Sequence, residues 1–136
     1  LTTNACKRKC RSSIESPYEG SNPSLTAMSI LFVIVASFFN AIMDWVGDSV
    51  HFNGSIFKNR NPNFWNKDVS WNHAKKVFGY KFDAWHLSKS MMIVLLVFAI
   101  CTHFTPIYKW WADIFILGFA WNISFDIFYY LLKSKK

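Results

Sequence analysis

The sequence predicts an all-α membrane protein: three transmembrane helices, with an amphipathic, aromatic and basic loop between the first and the second. Three observations predict it. Hydrophobic residues make up 52% of the 136 and aromatic residues 19%, more apolar surface than a soluble domain of this size buries. The apolar residues are gathered into long runs, and mean hydropathy is only +0.15 because a polar, basic stretch separates the first run from the second. The net charge of +7 comes from residues that flank these runs. They line neither a soluble helix nor an aromatic RNA-binding sheet, so nucleic acid is not an expected partner.

Residues 1–27 differ in kind from the rest. They are polar, rich in Ser, Arg and Lys, hold both glutamates (Glu15 and Glu19) and show no apolar period, which predicts a disordered tail. Gly20-Ser21-Asn22-Pro23 is also what GGT-TCG-AAT-CC encodes, the T-arm of a transfer RNA gene. The expectation is therefore a reading frame that runs through such a gene, with the natural start at Met28. Cys6, Cys10 and Cys101 are three in number, and Cys101 lies within an apolar run, so no disulfide framework is implied. The Cys6/Cys10 spacing lacks a second pair of zinc ligands.

The first span is expected from about Met28 to Val46, free of charge until Asp44. The second runs from about Ala84 to Phe104; its roughly 21 residues, at ~1.5 Å each, match the ~30 Å hydrocarbon core. Pro106 follows it as a stop. The third runs from about Trp111 to Leu132, with Trp110, Trp111, Tyr129 and Tyr130 placed at its ends as an aromatic belt. Runs of this length without alternation suit helices and not barrel strands.

Between spans one and two stand Lys58, Arg60, Lys67, Lys75, Lys76 and Lys81, whereas the short turn before span three holds Lys109. The positive-inside rule then places the long loop in the cytoplasm of a bacterial inner-membrane protein, N-terminus out and C-terminus in. The loop, residues 47–83, interleaves aromatic side chains with lysines, which predicts that it lies on the membrane face beside anionic lipid. Trp65, Trp71, Lys75 and Lys76 are its expected interfacial anchors, with Trp110 and Trp111 at the other end of span three. Asn61-Pro62-Asn63 marks a turn. Lys67 to Val77 reads as a short helix capped by Asp68 or Ser70.

Every acid after residue 27 is an aspartate, and Asp44, Asp48, Asp83, Asp113 and Asp126 lie in or beside a span. An ionisable group at membrane depth costs at least ~2.5 kcal/mol on insertion scales and needs a partner or a purpose. Asp44, Asp48 and His51 share one face if the first helix continues past Gly47, and Asp83 and His86 share one at the start of span two, on the same side of the membrane. Two readings stay open. In one, Asp44, Asp48, His51, Asp83 and His86 hold a divalent metal (Zn, Mn or Fe) whose bound water attacks a lipid-phase ester or phosphoester. In the other these residues and Lys89, paired with an aspartate, form a polar knot that ties spans one and two together. Asn122 and Asp126, one turn apart on span three, fit either arrangement, and Asp113 suits the dipole at the start of its helix. His73 and His103 are expected in solvent. The sequence holds no Gly-rich phosphate loop, nucleophile elbow or protease motif.

Met43-Asp44, His51, Ser55-Ile56-Phe57, Phe64-Trp65, Ser70-Trp71 and Asp83-Ala84-Trp85-His86-Leu87 together resemble a group of small multi-span membrane proteins of bacteria and bacteriophage with Phe-Trp, Ser-Trp and Asp-x-Trp-His elements. The resemblance covers about Asn40 to Leu87 and carries no activity with it. It implies that the Asp-His clusters and the loop tryptophans belong to one pattern, although most of the Gly- and Pro-rich stretch expected before Asp83 is missing. The function expected first is a structural or interaction component of the membrane, then the metal-dependent enzyme, then a phage holin. Three spans, this topology and a basic tail match a holin, whereas the aromatic loop and the Asp-His clusters fit one poorly.

Overall fold

The computed structural model describes residues 23–73, 75–77, 79–102 and 110–134. Along the chain come helices α1 (Pro23–Val46), α2 (Ser49–Gly54), α3 (Pro62–Trp65) and α4 (Lys67–His73), strands β1 (Lys75–Val77) and β2 (Tyr80–Phe82), and helices α5 (Ala84–Thr102) and α6 (Trp110–Leu132). Three helices, α1, α5 and α6, are long and apolar enough to cross a membrane. Their outer surfaces present Val97, Phe98, Ile100, Phe115, Phe119 and Ile123. Such a belt is suited to acyl chains and not to water. The protein is an all-α membrane protein with three candidate spans and a folded loop between the first two.

Helix α1 is central and packs against both α5 and α6. Phe32 stacks on Phe98 at 5.7 Å, Phe38 meets the edge of Phe128 at 5.1 Å, and the hydroxyls of Ser37 and Ser124 lie 2.7 Å apart. Further along, Trp45 stacks on Tyr129 at 4.7 Å and its Nε1 donates to the Tyr129 carbonyl at 2.9 Å. Partners on α1 and α6 thus advance together, so these helices run parallel and α5 runs against them. The core at the loop end is Ala41, Ile42, Trp45 and Val46 with Ala84 and Leu132.

Several boundaries differ from expectation. α1 begins at Pro23, ahead of Met28, so the last residues of the expected disordered tail are helical; residues 1–22 of that tail, and 103–104 of the second span, lie outside the described residues. The first helix does not continue past Gly47. Gly47 N–H turns back to the Asp44 carbonyl at 3.3 Å, and a Cβ there would come within 3.0 Å of the Met43 carbonyl oxygen. Asp48 then takes an extended backbone and caps α2.

The loop is folded in short pieces. Asn61 Oδ1 accepts from Asn63 N–H, and Pro62 in the first helical turn starts α3 where a turn alone was expected. The next helix, α4, is shorter than the expected Lys67–Val77. Its cap is Asn66, whose Oδ1 accepts from Asp68 N–H at 3.0 Å, in place of Asp68 or Ser70. Val77 belongs to an antiparallel hairpin with β2, in the register Val77 to Tyr80, and Gly79 supplies its positive φ of 83°. The loop is also stitched to the end of α6: Ile56 N–H donates to the Leu132 carbonyl at 2.9 Å and Ser134 N–H to that of Gly54 at 2.8 Å.

Candidate functional site

Asp48-Ser49-Val50-His51 and Asp83-Ala84-Trp85-His86 form the same local unit twice. In each, an aspartate stands just before a helix and accepts the backbone N–H of the histidine three residues on, at 2.7 Å for His51 and 2.8 Å for His86. This is the capping bond that an exposed helix N-terminus requires. The same carboxylate also meets the histidine's own ring, with Nδ1 at 2.7 Å in the first unit and 2.9 Å in the second.

The environments of the two units differ. Asp48 and His51 are half exposed, whereas Asp83 is 1% exposed and accepts a further bond from Ser70 Oγ at 3.1 Å. The backbone N–H and then the ring of His51 hold the Asp48 carboxyl below the ordinary carboxylate range.

Asp44, exposed on the last turn of α1, lines an open cavity of about 330 Å³ with Asp48, His51, Trp85 and Tyr129. From α5 this cavity takes Trp85 and neither Asp83 nor His86. Among the described residues, no group of three or more His, Cys, Asp or Glu side chains is placed to hold a metal ion together. The five candidate ligands therefore divide into the pair Asp48–His51, the pair Asp83–His86, and Asp44. Capping explains the division, since each paired carboxylate is turned onto its own helix start.

The polar knot is built differently from the one expected. Ser49 donates to Asp68 Oδ2 twice, through N–H and Oγ, each at 2.9 Å, and Asn66 Nδ2 donates to Ser49 Oγ at 3.2 Å. With Ser70, Asp83 and His86, these bonds join α2, α4 and the start of α5, so it is the loop that is fastened and not span one directly to span two. Lys89 does not pair with an aspartate: its Nζ lies 4.9 Å from the centre of the Trp85 ring, and Lys67 Nζ lies 3.9 Å from the same centre. Ser49 and Asn66 carried no signal in the sequence, and Asp68 only that of a helix cap, because contacts between residues so far apart leave no period.

Trp65, expected as an interfacial anchor, faces inward, stacked on Phe57 at 4.5 Å and against the edge of Phe64 at 5.4 Å. A flat aromatic stack removes more surface from water than a single ring lying at the interface. Trp71, Lys76 and Trp111 are exposed, whereas the side chains of Lys75 and Trp110 lie outside the described residues. Asn122 and Asp126 are exposed on α6 and do not join the cavity, Asp113 is buried in the first turn of α6, and His73 is exposed at the end of α4. His103 lies outside the described residues. No known protein family, curated protein or solved structure matches the chain.

Proposed function

We propose that the protein is a structural or interaction component of a bacterial inner membrane, with the N-terminus outside, the C-terminus in the cytoplasm and the folded loop acting as a cap on the cytoplasmic face. The buried Asp83, bonded to Ser70 and His86, carries this reading: the ionisable group at the mouth of the second span serves to fasten the loop. Lys67, Lys76 and Lys89 with the exposed Trp71 give the cap a basic and aromatic surface that suits anionic headgroups. The test measures metal content and thermal unfolding of the detergent-solubilised protein beside His51→Ala and His86→Ala. Metal-free protein whose melting temperature falls in His86→Ala supports the structural reading.

A second reading, a metal-dependent enzyme acting on lipid-phase substrate, rests on the open cavity lined by Asp44, Asp48 and His51, although the three do not stand as a ready-made ligand set. About one ion per chain, lost in His51→Ala, would put it first. Lysis on induction in cells would favour a holin over both.

A further inference from the structure

Helix α6 carries Gly118, Asn122 and Asp126 at successive intervals of four residues, which sets them on one face. That face looks out of the bundle. Asn122 and Asp126 are exposed, and a Cβ added to Gly118 would meet nothing within 4 Å. Phe119, Ile123 and Ile127, exposed at 65%, 58% and 53%, flank the stripe with side chains fit only for lipid. Asn122 falls near the middle of the span, and Asp126 one turn nearer the loop.

Polar groups on a lipid-facing surface demand a partner, because acyl chains offer neither donor nor acceptor. Among the described residues, Asp126 has no hydrogen bond or ion pair. Asn122 Nδ2 donates to the Gly118 carbonyl of its own helix at 2.8 Å. One amide hydrogen of Asn122 therefore remains to be donated, one turn from a carboxyl that accepts.

We propose that this stripe is a homodimer interface, in which two copies of α6 pack side by side about a two-fold axis along the membrane normal. Copies of one chain share their orientation in the bilayer, so such an axis sets the stripe against itself. Asn122 of each copy then donates to Asp126 of the other, and both bonds form reciprocally. Gly118 lets the two backbones approach as small residues do in membrane helix pairs. The single chain gives Gly118 no packing reason to lack a side chain, and the dimer supplies one. The inference rests on the membrane reading only in needing α6 to span the bilayer.

The test is the association of fluorescently labelled full-length protein in liposomes, measured by energy transfer as protein density is varied. Wild type is expected to dimerise. Asn122→Ala and Asp126→Ala should each weaken association roughly tenfold, two symmetric interhelical bonds being lost in either case. Gly118→Leu should abolish it without lowering the melting temperature of the monomer, since its side chain enters open space and leucine is the better helix former. Ile100→Ala, on the exposed face of α5, serves as control and should dimerise as wild type. Monomeric wild type at every density, or variants that associate as wild type does, would overturn the proposal. Extraction of the protein from membranes by alkaline carbonate would overturn the membrane reading itself, and the two failures are read separately.

Discussion

Ser70 Oγ donates to Asp83 Oδ2 across 3.1 Å, joining a helix of the loop to the residue that opens the second span. Both side chains are buried, and Asp83 also caps α5 through His86 N–H. Ser70→Ala should lower stability by about 1 kcal/mol, the loss of one hydrogen bond to a group that keeps its others. Asp83→Ala removes the cap as well, while the Ser70 hydroxyl keeps the Lys67 carbonyl as an acceptor, for a loss of about 2 kcal/mol. Denaturant unfolding in mixed micelles measures both. The double variant should cost less than the two losses together, and strict additivity would show that the bond contributes nothing.

The Asp48 carboxyl, held below its ordinary range by the His51 N–H and ring, makes α2 sensitive to acid. A depressed carboxyl stabilises the folded form fully above its unfolded value, and that contribution is lost as pH falls through the lower folded value. Amide hydrogen exchange of residues 49–52 should therefore stay slow through mild acid and quicken only below the ordinary carboxylate range. Asp48→Asn should flatten this profile. Protection that is lost at or above the ordinary value would contradict the capping bond.

At Gly79, φ is +83° and nothing stands near a would-be Cβ, so a substitution there is resisted by backbone conformation alone. Gly79→Val places a β-branched residue in left-handed backbone at a cost of about 1–2 kcal/mol. The β1–β2 hairpin should open, with faster exchange of the Val77 and Tyr80 amides, the pair that closes the turn. Exchange at Ala99 in α5 should not change.

The spans were legible in the sequence because lipid imposes one rule on every turn of a helix, and a run such as Ala84 to Thr102 obeys it throughout. The pairs Asp48–His51 and Asp83–His86 were legible as well, being three residues apart. What was not legible is how the loop closes. The bond from Ser49 to Asp68 joins residues 19 apart, and the inward turn of Trp65 depends on the ring of Phe57. Nor does spacing tell whether a helix survives a glycine. At Gly47 it does not, so Asp44 and Asp48 belong to different elements.

The last carbonyls of α6 have no partner within the helix, and two come from elsewhere in the chain: Trp45 Nε1 for Tyr129, and Ile56 N–H for Leu132. Trp45→Phe keeps the stack on Tyr129 but removes the donor and leaves that carbonyl half-buried without its bond. The expected loss is about 1–2 kcal/mol. Deeper in the same helix pair, Ser37→Ala removes a bond between two hydroxyls in which one serine donates to the other, while the serine that accepts donates to its own helix, Ser37 to Ile34 or Ser124 to Ala120. Because both serines have these local acceptors, the expected loss is only about 0.6 kcal/mol, as for other interhelical bonds in membranes. Unfolding free energies of the two variants, measured in the same bicelles, should rank Trp45→Phe as the more damaging. The reverse order would mean that α1 and α6 are held together at mid-membrane and not at the loop end, where the tryptophan closes the helix.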